Sequence, residues 1–311
     1  MNKEINGLIV SKILYKELNK YLLKKDIIPK VVDISIGNDF GGQMYAKMKE
    51  EKITSNTLID FVSVHFDSMQ IEELEEYIIG INNDPTITGL MIQLPLPDNL
   101  RAEERRLLDM IDPKIDVDGL TSLSAGKLSV GDISLVPCTP LGIETLLKVY
   151  DVSLEGRKVA IINRSNIVGK SLAQLMLRNN ATPIICHSKT KNLSKVTSDC
   201  DIVVVALNKQ EFITADYIKD GSVVIDVGVH KNKEGKTVGD AEFDGVYKKA
   251  SLITPPIGAV GPMTICMLAY NAAKSVYGKE IDNLLEEGIM KAKELIKTKK
   301  IETYKFLFFY I

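Results

Sequence analysis

The sequence predicts an α/β protein of two domains, each built on a parallel sheet, and three observations carry that reading. Short apolar runs at 31–36, 61–66 and 88–94 alternate with helical patterns, three strand–helix units in succession. A second series of apolar runs follows at 159–162, 182–186, 202–206, 223–227 and 252–254. Between the two series, 116–140 is rich in Gly, Ser and Pro and reads as a connection. At 311 residues the chain can bury two cores.

Each element has its own warrant. Residues 5–24 place Ile5, Leu8, Ile9, Ile13, Leu14, Leu18 and Leu22 on or near one helical face. The strand at 31–36 runs into Gly37, Asn38 and Asp39, and helices are predicted at 41–52, 71–81 and 102–111. The third strand stops at Pro95 and Pro97. A helix at 141–149 leads into the second series. Gly261 and Pro262 start a long apolar helix, 263–276, with proline where a helix start tolerates it. This helix is expected to pass back to the first domain. Residues 279–300 form a charged helix, and the tail from Tyr304 to Ile311 is unusually apolar.

The segment 159–188 is strand, turn, helix, strand, the opening of a Rossmann-like mononucleotide unit. Backbone N–H groups and the dipole at the helix start favour a pyrophosphate. Its glycine signature is poor: Gly169 is the one glycine, and Asn163 stands at the tight-turn position, where asparagine tolerates a left-handed backbone. After the second strand an NAD site places an acidic residue against the ribose 2′-hydroxyl. Here the chain has His187, Ser188, Lys189, Thr190 and Lys191, with Arg164 in the loop opposite. Donors and positive charge suit a 2′-phosphate, so NADP is the expected cofactor; the alternative is a solvated basic turn.

Composition narrows the classes. A net charge of -2 and a pI near 6.0 argue against a nucleic-acid surface. No apolar run approaches the length of about 18 residues that a membrane helix needs. The N-terminus is amphipathic with an early acidic residue, unlike a secretory signal, and a cytoplasmic location is expected. Cys138, Cys186, Cys200 and Cys266 are scattered without a C-x-x-C pattern, as in a reduced compartment. His65, His187 and His230 lack ligand spacing, and no metal site is expected.

Ligands of open α/β sheets bind beyond the carboxyl ends of the strands, and three features of the first domain lie there. Tyr45 and Lys49 share a helix face after the first strand. Gln93 closes the third strand. Asp116 and Asp118 flank Val117 at the start of the connection. Each also has a bland reading: an exposed helix face for the pair, a strand cap for Gln93, a turn residue for Asp118 before Gly119.

The combination resembles the bifunctional methylenetetrahydrofolate dehydrogenase/methenyltetrahydrofolate cyclohydrolase family over nearly the whole chain. The matching stretches are 45–49, 93–97, 116–119, 137–140, 164–169, 226–228 and 260–264. The resemblance implies NADP-dependent oxidation of 5,10-methylenetetrahydrofolate to the methenyl cation, then hydrolysis to 10-formyltetrahydrofolate in the same cleft. It implies that Tyr45 stacks on the aminobenzoyl ring and that Lys49 is the key lysine. A cationic intermediate nearby would ease proton transfer by the lysine. Gln93 would hold and tune the lysine, and Asp118 would accept hydrogen bonds from the pterin. Gly261 and Pro262 fall in a loop that closes over substrate. Asn163, Arg164, Ser165, Ser188 and Val229 fall at cofactor contacts.

The implied plan is a substrate domain of 1–120 plus 262–298, an NADP-binding domain of 140–260, and a tail, 299–311, of unassigned role. A homodimer is expected. Departures from the family pattern are Asn163 in place of glycine, Gly42 where serine is common, and the run 256–259. The first bears on pyrophosphate binding and the last on the loop over substrate. Narrower alternatives are an enzyme with one of the two activities, or another NADP-dependent two-domain dehydrogenase.

Overall fold

A computed structural model describes residues 3–37 and 40–298. The tail 299–311, with its apolar run, and Asn38 and Asp39 lie outside the described residues. In chain order the elements are α1 (Gly7–Leu22), β1 (Lys30–Ile36), α2 (Phe40–Asn56), β2 (Asp60–Phe66), α3 (Ile71–Asn82), β3 (Gly89–Ile92), α4 (Asp98–Arg101), α5 (Glu104–Asp109) and α6 (Ser122–Ser129). There follow α7 (Cys138–Val149), β4 (Lys158–Ile162), α8 (Ser171–Arg178), β5 (Thr182–Cys186), α9 (Leu193–Thr197), β6 (Ile202–Val205) and β7 (Val223–Asp226). The series ends with β8 (His230–Lys231), β9 (Thr237–Val238), α10 (Phe243–Lys249), β10 (Leu252–Ile253), α11 (Val260–Tyr277) and α12 (Lys279–Lys297).

Two compact units result. Of the described residues, the first holds Tyr15–Cys138 and Thr264–Asn283; the second holds 3–14, Thr139–Met263 and 284–298. Most of α11 therefore belongs to the first unit, as expected for a returning helix. Its Asn271 amide donates to the carbonyls of Val117 and Val136, both at 2.8 Å.

The first unit is a three-stranded parallel sheet, β2–β1–β3, in which β1 takes the centre because its residues Val31 to Ser35 are all buried. One of them is Asp33, paired in register with Ser63 and Met91. The predicted helix 102–111 is instead two short ones: Pro97 starts the first early, and Glu103 (φ -100°, ψ 3°) interrupts helical geometry before the second. The expected connection 116–140 contains α6, whose end is capped by the Thr121 hydroxyl accepting from the Ser124 N–H. Residues 5 and 6 are not helical: Ile5 N–H donates to the Ile253 carbonyl at 2.9 Å, beside a parallel bridge from Glu4 to Ile253.

The second unit is a five-stranded parallel sheet in the order β10–β7–β6–β4–β5. Ala160, Ile162, Val203, Val205 and Val224 are wholly buried in its core. Buried on both faces, such strands read as unbroken apolar runs, which is why they were visible in the sequence. The order reverses direction between β4 and β6, the switch point where nucleotides bind in open α/β sheets. No helix among the described residues is long and apolar enough to cross a membrane.

Candidate active site

In the first unit the predicted residues converge. Lys49, on α2, is buried and its Nζ lies 2.8 Å from Asp33 Oδ2; the two side chains are only 3% and 0% exposed. The same amine is 3.8 Å from Met91 Sδ and 5.4 Å from the centre of the Tyr45 ring. Tyr45, one turn earlier on α2, is 37% exposed, so one side of its ring is open while the other borders the amine. The surface-face reading of this pair fails at Lys49.

The resemblance gives Gln93 the task of holding and tuning the lysine. Its amide nitrogen donates to Asp33, at 3.2 Å from Oδ1 and 3.4 Å from Oδ2. Asp33 is thus the joint between Gln93 and Lys49.

The two aspartates around Val117 divide. Asp116 is buried and serves the turn: it accepts from Leu120 N–H (3.1 Å), Thr121 N–H (2.9 Å) and the Ser124 hydroxyl (2.7 Å). Asp118 hydrogen-bonds with the Cys138 thiol and feels the charge of Lys49. Burial pushes its carboxyl up to about 6, against the opposing pull of Lys49. Gly119 makes the turn possible, with φ +66° and its Cα pressed so closely that a Cβ would lie 2.8 Å from Pro137 N. Burial and the Asp118 carboxylate push the Cys138 thiol well above its ordinary value, so it is an inert neighbour.

In the second unit the candidate cofactor residues stand at the carboxyl ends of β4, β5 and β7. Arg164 and Ser188 are exposed in the loops after β4 and β5, whose ends pair at Ile162 and Cys186. Lys189 and Lys191 are exposed nearby, and Val229, after β7, is 65% exposed. Gly261 and Pro262 lie in the first turn of α11, within the second unit.

Asn163 corrects the sequence reading. Among the described residues of left-handed backbone it does not figure. Its side chain organises the loop from within: Oδ1 accepts from Ser165 N–H (2.8 Å), the Ser165 hydroxyl (2.7 Å) and Gly169 N–H (3.1 Å), while the amide donates to the Ala206 carbonyl at 2.6 Å. Ser165 in turn caps the helical turn Asn166–Lys170 by accepting from Val168 N–H. Both side chains are committed to the loop, while Arg164, Asn166 and Lys170 are exposed beside them.

Two family models match, the catalytic domain of tetrahydrofolate dehydrogenase/cyclohydrolase over residues 3–118 and its NAD(P)-binding domain over 137–280. The chain belongs to the tetrahydrofolate dehydrogenase/cyclohydrolase family. It is 45% identical to the bifunctional protein FolD of Bacillus subtilis over 263 residues, covering 84% of this chain and 92% of that one. A FolD crystal structure from Campylobacter jejuni, a methylenetetrahydrofolate dehydrogenase/cyclohydrolase, superposes with a TM-score of 0.84 at 38% identity, covering 88% of this chain and 98% of that one. The Trypanosoma brucei family member, solved with NADP and an inhibitor, gives 0.81 at 30% identity, covering 88% and 96%.

Against this family frame, the residues that sequence reading missed are those whose partners are distant in the chain. Asp33 carried a signal: a lone acid inside an apolar strand must find a partner if buried. Asp240 carried none. Wholly buried, it accepts from the N–H groups of Leu207, Asn208 and Lys209 and meets His230 Nε2 at 2.7 Å, tying the loops after β6 and β7 together beside Val229.

Gly169 is the glycine the nucleotide loop requires. A Cβ there would lie 2.2 Å from the Asn163 carbonyl oxygen, a backbone atom that cannot move aside alone. Gly169→Ala is expected to weaken NADP binding by about tenfold or more and to lower stability by about 1–3 kcal/mol. Calorimetric titration checks the first and urea unfolding the second; unchanged values in both would mean the loop has room.

Proposed function

We propose that this chain oxidises 5,10-methylenetetrahydrofolate with NADP and hydrolyses the resulting methenyl cation to 10-formyltetrahydrofolate. The observation that carries the reading is the buried Lys49 amine flanked by the Tyr45 ring and Asp118, at the carboxyl ends of the sheet in a member of this family. By family resemblance the substrate domain is taken as 1–120 plus 262–298 and the NADP-binding domain as 140–260, although residues 3–14 and 284–298 pack in the compact unit of the second sheet.

Asp118 accepts hydrogen bonds from the pterin amino group and ring N–H, which orients the one-carbon unit. The open side of Tyr45 stacks on the aminobenzoyl ring. Lys49 takes the proton that the attacking water loses as its oxygen bonds to the methenyl carbon. It returns that proton to N5 as the bond from the carbon to N5 breaks, and the remaining hydroxyl proton leaves to solvent as the formyl C=O forms. By family resemblance Gly261 and Pro262 belong to the loop that binds substrate. NADP, when bound, accepts the hydride in the first step.

The second unit suits that cofactor. Gly169 lets backbone approach closely, and Arg164, Ser188, Lys189 and Lys191 offer donors and positive charge to a 2′-phosphate. Val229 supplies a backbone contact near the nicotinamide. Asn163 and Ser165 act by shaping the loop. Replacing Arg164 and Ser188 with Ala should weaken NADP by about 1.5–3 kcal/mol, or about 10- to 150-fold, and NAD far less. Equal losses for the two nucleotides would mean these residues do not read the 2′-phosphate.

By family resemblance the chain acts as a homodimer in the cytoplasm, which sedimentation would read as twice the chain mass. The reaction itself is tested in two steps with purified protein. Methylenetetrahydrofolate and NADP should yield NADPH, and added methenyltetrahydrofolate should disappear without nucleotide. Failure of either step removes that half of the proposal.

A further inference from the structure

We infer that Asp33 is a positioning residue of the hydrolytic step, the group that fixes the Lys49 amine in the pocket and through which Gln93 acts on it. This rests on the function proposed above. Asp33 cannot touch substrate: its side chain is 0% exposed, enclosed in the central strand. Both polar groups that reach it belong to the site, the Lys49 amine at 2.8 Å and the Gln93 amide at 3.2 and 3.4 Å.

Core stability does not account for a carboxylate there. Its neighbours along the strand are Val32 and Ile34, and an apolar residue would continue that pattern; buried ion pairs are commonly matched or bettered by apolar packing. The carboxylate has a use for the amine. A lysine side chain is four carbons long and flexible, and nothing in its own chemistry fixes where its nitrogen sits. Asp33 gives it one address, and Gln93 gives Asp33 one orientation. Three elements are joined this way: β1 through Asp33, α2 through Lys49, and the end of β3 through Gln93. Misplacing a proton-transfer group by even about 1 Å costs up to about a hundredfold in rate.

The test compares wild type, Asp33→Asn, Gln93→Leu and the double variant for hydrolysis of methenyltetrahydrofolate and for NADP reduction with methylenetetrahydrofolate. Asp33→Asn keeps the shape of the side chain and removes its charge. Its hydrolytic kcat should fall by about tenfold or more with KM changed by less than about threefold, a split that a merely structural role would not produce. The double variant should be no slower than Asp33→Asn by more than about threefold, because Gln93 then has nothing to act through. Independent, multiplying losses would overturn the inference, as would an unchanged kcat in Asp33→Asn. If Asp33→Asn does not fold, Asp33→Val, which completes the apolar strand, should show the same loss in kcat. Failure of both to fold would assign Asp33 to the core instead. A wild type with neither activity would refute the proposed function itself, a result separate from any ranking of the variants.

Discussion

Lys49→Ala is expected to lose hydrolysis of methenyltetrahydrofolate by about 10²- to 10⁴-fold, the range that a positioned proton-transfer group contributes. It is also expected to be less stable, for a reason unconnected with catalysis. Removing the amine leaves Asp33 as a wholly buried carboxylate without its cation, and breaking such a pair costs about 3–5 kcal/mol. The two effects separate in the double variant Asp33→Asn with Lys49→Ala. Neutralising the stranded carboxylate should recover most of the urea midpoint and none of the hydrolytic rate. A Lys49→Ala protein with wild-type hydrolysis would refute the role given to the amine. One with wild-type stability would refute the ion pair.

Asp118 should impose an acid limit on both activities. Burial holds its carboxyl at about 6, above the ordinary aspartate value, so it becomes protonated as pH falls through that point. The protonated group can no longer accept two hydrogen bonds from the pterin, and kcat/KM for either folate should fall by about tenfold per pH unit below about 6. Above that pH the dependence on this group should be flat. Asp118→Asn should lose about 1.5–3 kcal/mol of folate binding, about 10- to 150-fold, because its amide NH₂ faces groups that are themselves donors. The variant should also lose the acid limb near pH 6. Persistence of that limb in Asp118→Asn would assign it to another group.

Much of the architecture was legible because its signals are local. The strands 31–36, 159–162 and 223–227 are apolar runs bounded by turn residues, and parallel strands buried on both faces must look that way. Tyr45 and Lys49 were placed on one helix face by spacing alone, and the structure buries the amine while leaving Tyr45 partly open. What stayed hidden depends on contacts between distant residues. Helix α6 is short and rich in Ser and Gly, so its propensity is poor; Thr121 and the Asp116 carboxylate hold its start.

Asp116 and Asp118 are indistinguishable by type and spacing, and only the fold assigns one to the turn and the other to the pocket. Asn163 reads as a substitute for a left-handed glycine, yet it works by side-chain hydrogen bonds that a glycine could not make. Ile5 fits the helical periodicity of the residues after it and is drawn instead into pairing with Ile253. Tertiary partners override local preference there.

The most direct test of a single folate pocket for both reactions is competition between the two folates for the wild-type chain without nucleotide. Methylenetetrahydrofolate should inhibit hydrolysis of methenyltetrahydrofolate competitively, so that saturating methenyltetrahydrofolate restores the full rate. Inhibition that persists at saturation, or none at all, would contradict the sharing of Tyr45, Lys49 and Asp118 by the two steps.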